Sequence, residues 1–189
     1  MNYRKAGRRC GNRLLACLAI VASVALGAAR AEERAVTPSA IEGPFYKSGS
    51  PERTSLIEPG LEGVRLVLTG RVLTTEQQPI PRARLDFWQT DADGRYDHAG
   101  YRLRGHQFTD EAGRYRLETV VPASYPGRTR HIHVKVQAPN QPILTTQLYF
   151  PGEPHNTSDP LFNPTLVMRV QDTAEGPLAS FDFILDTQR

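Results

Sequence analysis

Apolar and polar residues alternate over several short stretches of the chain, as in half-buried β-strands. Glycine and proline separate these stretches, and the proline-rich residues 32–59 before them predict a loop. No stretch keeps a helical period behind a capping residue. The stretches that predict strands are residues 64–73, 83–87, 114–120, 131–137, 143–150 and 180–185. Short strands joined by turns predict an all-β sandwich.

The strand predicted at 131–137 carries a pattern typical of metal sites. Alternation places His131 and His133 on one face and Ile132 and Val134 on the other. Two residues two positions apart on a strand have Cα atoms about 6.5 Å apart, so both imidazoles can reach one metal ion. The apolar face is expected to pack into the core, which leaves the histidines facing a cleft. A strand face with two solvated histidines fits the same pattern, so neighbouring residues must decide.

One motif occurs twice. The segment Thr90-Asp-Ala-Asp-Gly-Arg-Tyr96 is followed by Thr109-Asp-Glu-Ala-Gly-Arg-Tyr115. Each copy predicts a tight turn, with the glycine free to adopt positive φ, followed by a strand. For Tyr115 we interpret the repetition as no more than a second turn of the same type.

The first 31 residues have the order of a secretory signal peptide. A basic segment precedes the apolar run 14–29, and Ala29-Arg30-Ala31 is a small-x-small cleavage site. The pattern predicts cleavage after Ala31, export to the periplasm or the medium, and one mature domain over 32–189. A retained membrane anchor is the alternative, although the apolar run is short for a bilayer. After cleavage no stable membrane insertion is expected.

Removal of this segment changes the charge and the cysteine content. The segment holds six of the 23 basic residues and none of the 20 acidic ones, which leaves 17 against 20 and a net charge of −3. A domain with this charge is not expected to bind nucleic acid. Cys10 and Cys17 are removed as well, so the mature chain can form no disulfide. About 158 residues remain, enough for one domain with its own core.

The residues near the histidines limit the kind of metal site. Lys135 occupies the position where a His-x-His metallo-hydrolase needs Asp. Residues 119–152 contain no Asp or Glu, so a ferrous site of two histidines and one carboxylate would need an acid from elsewhere in the chain. A zinc site that recruits His98, His106 or His155 as a third histidine remains open.

Tyrosine is the acid that remains nearby. A phenol has a pKa of about 10, but a strongly Lewis-acidic cation can hold it as phenolate. Ferric iron favours anionic oxygen, so two tyrosinates and two neutral histidines would suit it. Tyr125 stands just before the histidine strand, and Tyr96 follows a glycine turn.

With these residues the chain resembles the intradiol ring-cleavage dioxygenases, especially their short, exported, single-domain members. The similarity includes Asp86-Phe-Trp-Gln-Thr-Asp-Ala-Asp-Gly-Arg-Tyr96 and Tyr125-Pro-Gly-Arg-Thr-Arg-His-Ile-His133. It extends to residues 37–46, 101–110 and 147–150. The order of these segments is more specific than any one of them. The resemblance implies a prealbumin-like antiparallel β-sandwich with long loops.

The same resemblance implies a non-haem Fe(III) centre bound by Tyr96, Tyr125, His131 and His133. Tyr125 and His133 would be the axial ligands, and Tyr96 and His131 the equatorial ones. A catechol-type substrate would bind iron through both oxygens and displace Tyr125, which takes up a substrate proton. Tyr125 therefore counts as both a metal ligand and a catalytic residue.

Arg128 and Gln147 match the residues that stabilise charge developing on the substrate in this family. The implied reaction uses O2 to cleave the ring between the two hydroxylated carbons and yields a cis,cis-muconate-type product. The small-molecule substrate and O2 are the expected partners. Gly127 stands where the protocatechuate enzymes carry a tryptophan, which leaves catechol, hydroxyquinol, protocatechuate and larger exported aromatics open as substrates.

Two other functions fit parts of the sequence. Residues 70–85 resemble prealbumin-like adhesion or carbohydrate-binding domains, which suggests a non-catalytic binding module. A zinc-dependent hydrolase using His131 and His133 is the second alternative. Both explain less of the sequence than the dioxygenase hypothesis, because neither requires all four ligand positions.

Some aromatic residues have less specific interpretations. Trp88 is expected to serve packing. Tyr46 and Tyr101 are expected either to line the pocket or to pack at its rim. Tyr149 is expected next to the site, without contact with the metal.

Overall fold

Nine β-strands in two sheets make up the fold of residues 34–187, the part of the chain that the computed structural model describes. The signal peptide predicted for residues 1–31 lies outside this range and stays a prediction. The strands are β1 (Arg65–Thr74), β2 (Arg84–Trp88), β3 (Arg104–Phe108), β4 (Arg114–Val120), β5 (His131–Gln137), β6 (Leu144–Tyr149), β7 (Arg169–Thr173), β8 (Gly176–Ser180) and β9 (Phe183–Leu185).

The two sheets differ in strand direction. One is antiparallel throughout, with the order β3-β2-β5-β6. The other has the order β4-β1-β8-β7, and β9 also pairs with β1. Strands β8 and β9 run parallel to β1, so this second sheet is mixed. The predicted all-β sandwich is confirmed, with these two parallel pairings as an exception to its antiparallel order.

Strand prediction was accurate where polar and apolar residues alternate along the sequence. The structure begins and ends β4 and β5 at the predicted residues, shifts β1 and β2 by one residue, and shortens β6 by one residue at each end. Strands β3 and β7, and all of β8 except Ser180, were not predicted. Arg104–Phe108 has buried arginine and glutamine side chains instead of alternating apolar ones, and Arg169–Thr173 is exposed over most of its length.

The strand predicted at 180–185 is wrong in its first half, because Ser180 ends β8 and only residues 183–185 form β9; Gly70 explains this break. The Phe181 carbonyl oxygen lies only 1.8 Å from the position that a Cβ on Gly70 would occupy. The Phe181 N–H donates to Thr69 O at 3.0 Å. This close backbone approach interrupts the ladder along β1, so β8 pairs before Gly70 and β9 pairs after it.

The core lies between the two sheets. The antiparallel sheet contributes side chains such as Phe87, Ile132 and Val134, and the mixed sheet contributes Leu68 and Phe183, all fully buried. Alternation along β5 therefore places Ile132 and Val134 in the core, as predicted, and turns the two histidines to the outer face of their sheet. No helix in residues 34–187 has the length and apolarity needed to span a bilayer.

The N-terminal segment, residues 34–50, crosses from the mixed sheet to the outer face of the antiparallel sheet. Thr37 N–H donates to Ile184 O at 2.9 Å, and Ala40 N–H donates to Thr145 O at 2.8 Å. Ile41 O accepts from Gln147 Nε2 at 2.9 Å. The segment is thus fastened to β9 and then to β6, and it covers the face that carries the histidines.

Candidate metal centre

The strand register aligns the polar residues of the outer face. Register partners on neighbouring strands place their side chains on the same face. His133 pairs with Trp88 on β2 and with Gln147 on β6, and His131 pairs with Tyr149. The side chains of His131 and His133 are 3% and 1% exposed. The histidines thus lie on the outer face of the sheet, beneath covering loops.

A tight turn brings Tyr125 beside this face. The Arg128 N–H donates to Tyr125 O at 2.9 Å, which closes a turn with Pro126 and Gly127 at its centre. Gly127 has a φ of 79°, the positive value that the third residue of a type II turn requires. The turn therefore holds Tyr125 and Arg128 next to each other.

The repeated motif brings Tyr96 to the same place. Asp91 O accepts from Ala123 N–H at 2.9 Å, so the first turn lies against the loop that leads to Tyr125. Gly94 has a φ of 81°, and a Cβ there would lie 2.6 Å from Ser124 O. Only glycine allows this approach, and it is the approach that places the Tyr96 and Tyr125 rings 6.0 Å apart.

The two copies of the motif form the same turn but continue differently. Asp91 Oδ1 accepts from the backbone of Asp93 and Arg95, and Asp110 Oδ1 accepts from the corresponding N–H groups in the second copy. The second turn leads into β4, as predicted, and Tyr115 lies in the core. The strand predicted after the first turn is absent from the described residues, because Asp97 accepts from three backbone N–H groups and folds 97–102 into a loop.

Four rings converge between these loops and β5. The His131 and His133 Nε2 atoms are 3.0 Å apart. Ring centres are 5.7 Å apart for Tyr125 and His131 and 6.4 Å apart for Tyr96 and His133. Two metal–nitrogen bonds of about 2.1 Å at a right angle would separate their nitrogens by about 3 Å, close to the observed value. The structure therefore brings all four predicted ligands together; their binding of a metal stays a prediction.

Both histidines are suited to donate lone pairs. Burial, and next the charge of Arg128, lowers the pKa of His131 to about 4. Burial, and next His131, holds the pKa of His133 well below its ordinary value. His131 Nδ1 lies 2.7 Å from Thr129 O, which assigns its proton to Nδ1 and leaves Nε2 free. Neutral imidazole with an oriented ring is the form that binds metal ions.

The two tyrosines differ in exposure. Tyr96 is 8% exposed, and its buried hydroxyl has no hydrogen-bond partner. Burial, followed by the proximity of Tyr125, raises the pKa of Tyr96, so a neighbouring cation is needed to hold it as phenolate. Tyr125 is only half-buried. An orphaned buried phenol beside two neutral imidazoles fits a strongly Lewis-acidic metal ion, and ferric iron suits this donor set.

Arg128 and Gln147 form a pair at the edge of the four rings. The Arg128 Nη2 donates to Gln147 Oε1 at 2.5 Å. The Tyr149 hydroxyl lies 2.9 Å from the same oxygen and 2.7 Å from Leu161 O, and its single proton can serve only one of them. Burial raises the pKa of Tyr149 to about 12, so this phenol stays protonated at neutral pH.

Asp159 is a residue of this region that the sequence did not reveal. Its carboxylate accepts from Arg128 Nε at 3.0 and 3.2 Å and from Thr129 N–H at 2.9 Å. Residues 119–152 contain no Asp or Glu, and the carboxylate that contacts Arg128 comes from the loop after β6. Ser158-Asp159-Pro160 indicates a turn, but no signal in the sequence links it to Arg128.

Phe45 and Arg104 are further residues at the site without an individual prediction. Phe45 stacks on Tyr96 with ring centres 4.4 Å apart. Arg104 is buried, donates to Phe45 O at 2.7 Å, and lies with its guanidinium carbon 5.8 Å from the Tyr96 ring centre. Trp88 packs as predicted, and the ring that it stacks on is His133, at 4.7 Å.

Several other candidates lie away from the four rings. Tyr46 donates to Asp86, Tyr101 donates to Ser48 O, and Lys135 is paired with Glu42. His98 packs at Phe45, His106 contacts Ser50, and His155 lies in the 3-10 turn Pro154–Thr157. Within residues 34–187 no three His, Cys, Asp or Glu side chains are grouped to hold a metal, so these residues do not form the three-histidine zinc site.

Fold and site together define a β-sandwich protein with a buried cluster of two histidines and two tyrosines on the outer face of one sheet. Residues 41–187 match the family described as Dioxygenase. The chain belongs to the intradiol ring-cleavage dioxygenase family.

Individual relatives agree with this assignment. The chain is 30% identical to the catechol 1,2-dioxygenase of Acinetobacter baylyi over 65% of its length and 49% of that protein. It is 33% identical to the protocatechuate 3,4-dioxygenase beta chain of Burkholderia cepacia over 64% of its length and 63% of that protein. It spans about half the length of the catechol 1,2-dioxygenases that it matches.

A solved structure covers the domain more fully. The dioxygenase domain of a dioxygenase–carbohydrate-binding protein fusion from Streptomyces sp. SirexAA-E is 53% identical. The TM-score is 0.79, and the alignment covers 80% of this chain and 99% of that domain.

Proposed function

We propose that this chain is a non-haem Fe(III) intradiol dioxygenase. It cleaves a catechol-type ring between the two hydroxylated carbons, and both atoms of one O2 enter a cis,cis-muconate-type product. The observation that carries the proposal is the convergence of His131, His133, Tyr96 and Tyr125, with 3.0 Å between the two Nε2 atoms. Relatives named catechol 1,2-dioxygenase and protocatechuate 3,4-dioxygenase support it.

The rings of the two proposed histidine ligands are held in fixed orientations. Thr129 O accepts from His131 Nδ1 and so directs Nε2 toward His133. Trp88 stacks on His133 and restricts its ring. Ferric iron bound by this donor set would draw electron density from a catecholate and make the ring reactive toward O2.

Tyr125 is the proposed proton acceptor for the substrate. It lies on a loop and is half-buried, whereas Tyr96 is enclosed by Phe45 and its own turn. Of the two phenols, Tyr125 can therefore turn away from the centre with less rearrangement. Its Oη would then hold the proton that a catechol hydroxyl gives up on binding.

Arg128 and Gln147 are proposed to stabilise negative charge on the substrate. A guanidinium that is mostly buried acts in a low effective dielectric, where its charge is felt more strongly than in water. Gln147 is itself fixed, because its Nε2 donates to Ile41 O at 2.9 Å. These contacts hold both side chains in place, so neither needs to reorganise during the reaction.

Metal analysis and a visible spectrum test the proposal. Purified protein is expected to contain iron and to show a tyrosinate-to-iron band that shifts when catechol is added without O2. Admission of O2 should then produce a muconate-type product with one O2 consumed per ring. A protein that stays colourless after ferric reconstitution and consumes no O2 would refute the proposal and favour the binding-module alternative.

We also propose that the domain acts after export. The order of basic residues, apolar run and cleavage site within residues 1–31 supports this, and the absence of cysteine from 32–189 makes the fold independent of the redox state of its compartment.

A further inference from the structure

The loop after β6 places one fully buried carboxylate beside Arg128. The Asp159 side chain is 0% exposed and that of Arg128 is 11% exposed. Desolvation offsets much of the attraction in a buried ion pair, so such a pair is a weak source of stability. The geometry that the pair imposes is therefore the property to consider.

The Asp159 carboxylate is held rigidly from the backbone. Oδ2 accepts from Thr129 N–H and Oδ1 accepts from Leu161 N–H, each at 2.9 Å. Burial raises the pKa of Asp159, but these hydrogen bonds and the Arg128 guanidinium lower it below its ordinary value. Asp159 is thus a fixed anion that does not depend on the rotamer of Arg128.

The carboxylate engages only one nitrogen of Arg128. Both of its oxygens contact Nε, whereas Nη2 donates to Gln147 Oε1. An anchor at Nε sets the direction in which the terminal nitrogens point, because the guanidinium is flat and rigid. Arg128 thus links Asp159 to Gln147.

We propose that Asp159 is a positioning residue for ring cleavage. It fixes the plane of the Arg128 guanidinium so that Nη2 stays on Gln147 and the cation faces the charge that develops on the substrate. The inference rests on the proposed function of Arg128. Because Asp159 contacts Arg128 directly and none of the four proposed ligands, its loss affects turnover more than iron binding.

Asp159→Asn is the first variant to measure, because it keeps the shape of the side chain and one backbone-facing oxygen. It removes the negative charge and replaces one of the two oxygens that accept from Arg128 Nε by an NH2 group, so the anchor is weakened. Iron-loaded D159N is expected to keep the wild-type visible spectrum and a KM within about threefold of wild type, while kcat falls about tenfold or more.

A double-substitution cycle separates positioning from general damage. In an R128A background, D159N is expected to change kcat by less than about twofold, because the residue through which it acts is gone. In the metal-free protein the shifts in urea midpoint for D159N and R128A should not add, since both remove the same contact. The second measurement does not depend on iron or on activity.

Asn156 offers a matched control in the same loop. Its Oδ1 accepts from Thr129 Oγ1 at 2.8 Å, but Arg128 is anchored by Asp159 and not by Asn156. N156A is expected to lower the urea midpoint and to keep kcat within about twofold of wild type.

Two results would overturn the inference on its own. One is an active wild-type enzyme in which D159N lowers kcat by the same factor in the wild-type and R128A backgrounds, and the other is a D159N enzyme with unchanged kcat. An iron-loaded wild-type protein that cleaves no catechol would refute the proposed function and this role together. Non-additive shifts in the urea midpoints of metal-free D159N and R128A would not change that conclusion.

Discussion

At the scale of single residues, Tyr96 and Tyr115 occupy the same position in two copies of one turn and have different surroundings. Tyr96 lies among the four rings with an unpartnered hydroxyl, and Tyr115 donates to Phe181 O at 2.8 Å in the core. Tyr115, the equivalent residue in the second copy of the motif, can therefore serve as a control for substitutions of Tyr96.

Tyr96→Phe is expected to weaken iron binding, remove most of the tyrosinate band and abolish ring cleavage, because it deletes one proposed oxygen donor. Tyr115→Phe should keep the band and the activity, and lower the free energy of unfolding by about 1 kcal/mol through loss of a buried hydrogen bond. Iron content, the spectrum and urea unfolding of both variants check this. Full iron content and turnover in Y96F would remove Tyr96 from the site.

Arg128→Ala is expected to retain iron and lose about a hundredfold in kcat, the usual effect of deleting one charge-stabilising donor. Arg130→Ala is the matched control, because Arg130 is paired with Glu153 at 3.4 Å and stands two residues away on the same segment. Steady-state kinetics at matched iron content decide the outcome. Equal losses in the two variants would assign Arg128 a structural role.

The site residues that could be foreseen depend on local patterns. Alternation fixed the face of His131 and His133, and turn chemistry together with family resemblance indicated Tyr96 and Tyr125. Asp159 could not be predicted, because a carboxylate 31 positions after Arg128 meets it only through the path of the loop after β6. A single sequence shows no periodic pattern for long-range polar contacts of this kind.

At the scale of elements, the same distinction explains which strands could be predicted. Strands β1, β4 and β5 alternate polar and apolar residues in sequence, whereas β3 carries polar residues of the site face and β7 lies at an exposed edge. The break between β8 and β9 depends on the backbone contact between Gly70 and Phe181 O. Hydrophobic patterning therefore predicts neither the polar or exposed strands β3 and β7 nor the break between β8 and β9.

Gly70→Ala is expected to destabilise the mixed sheet by about 2 kcal/mol or more, because its Cβ would overlap the Phe181 carbonyl. Gly60→Ala provides the comparison. It has a φ of 74° and open space around the Cβ position, so only the backbone cost of about 1–2 kcal/mol applies. Urea unfolding of both variants measures the difference; a G70A protein as stable as G60A would mean that the two strands separate easily.

At the scale of the whole molecule, the hydrophobic core and the candidate site lie on opposite faces of one sheet. The core therefore forms without the four proposed ligands. Metal-free protein is expected to keep its far-UV circular dichroism spectrum and to unfold cooperatively. Ferric iron should raise the unfolding temperature with increasing concentration, because it binds only the folded state. Loss of β structure on iron removal would show that the metal is needed for folding.

The export proposal makes a second prediction at this scale. Protein isolated from the extracytoplasmic fraction of an expressing cell should begin at Glu32, and intact mass together with N-terminal sequencing would show it. Replacing Ala29 and Ala31 by bulky residues should leave the longer chain uncleaved. A protein that starts at Met1 and stays with the cytosolic fraction would contradict the proposal.

The path of the N-terminal segment has a consequence for the order of assembly. Residues 34–50 contact β9 through Thr37 and β6 through Ala40, and Thr37 and Ile184 are separated by nearly the whole domain. Contacts between residues so far apart in sequence are costly in loop entropy and form late. The Ile41 partner of Gln147 and the Phe45 cover of Tyr96 both lie in this segment, so we expect these contacts to form late. The enclosed site is therefore a product of the final folding steps, and a chain arrested earlier would hold a formed sheet with its histidines still open to solvent.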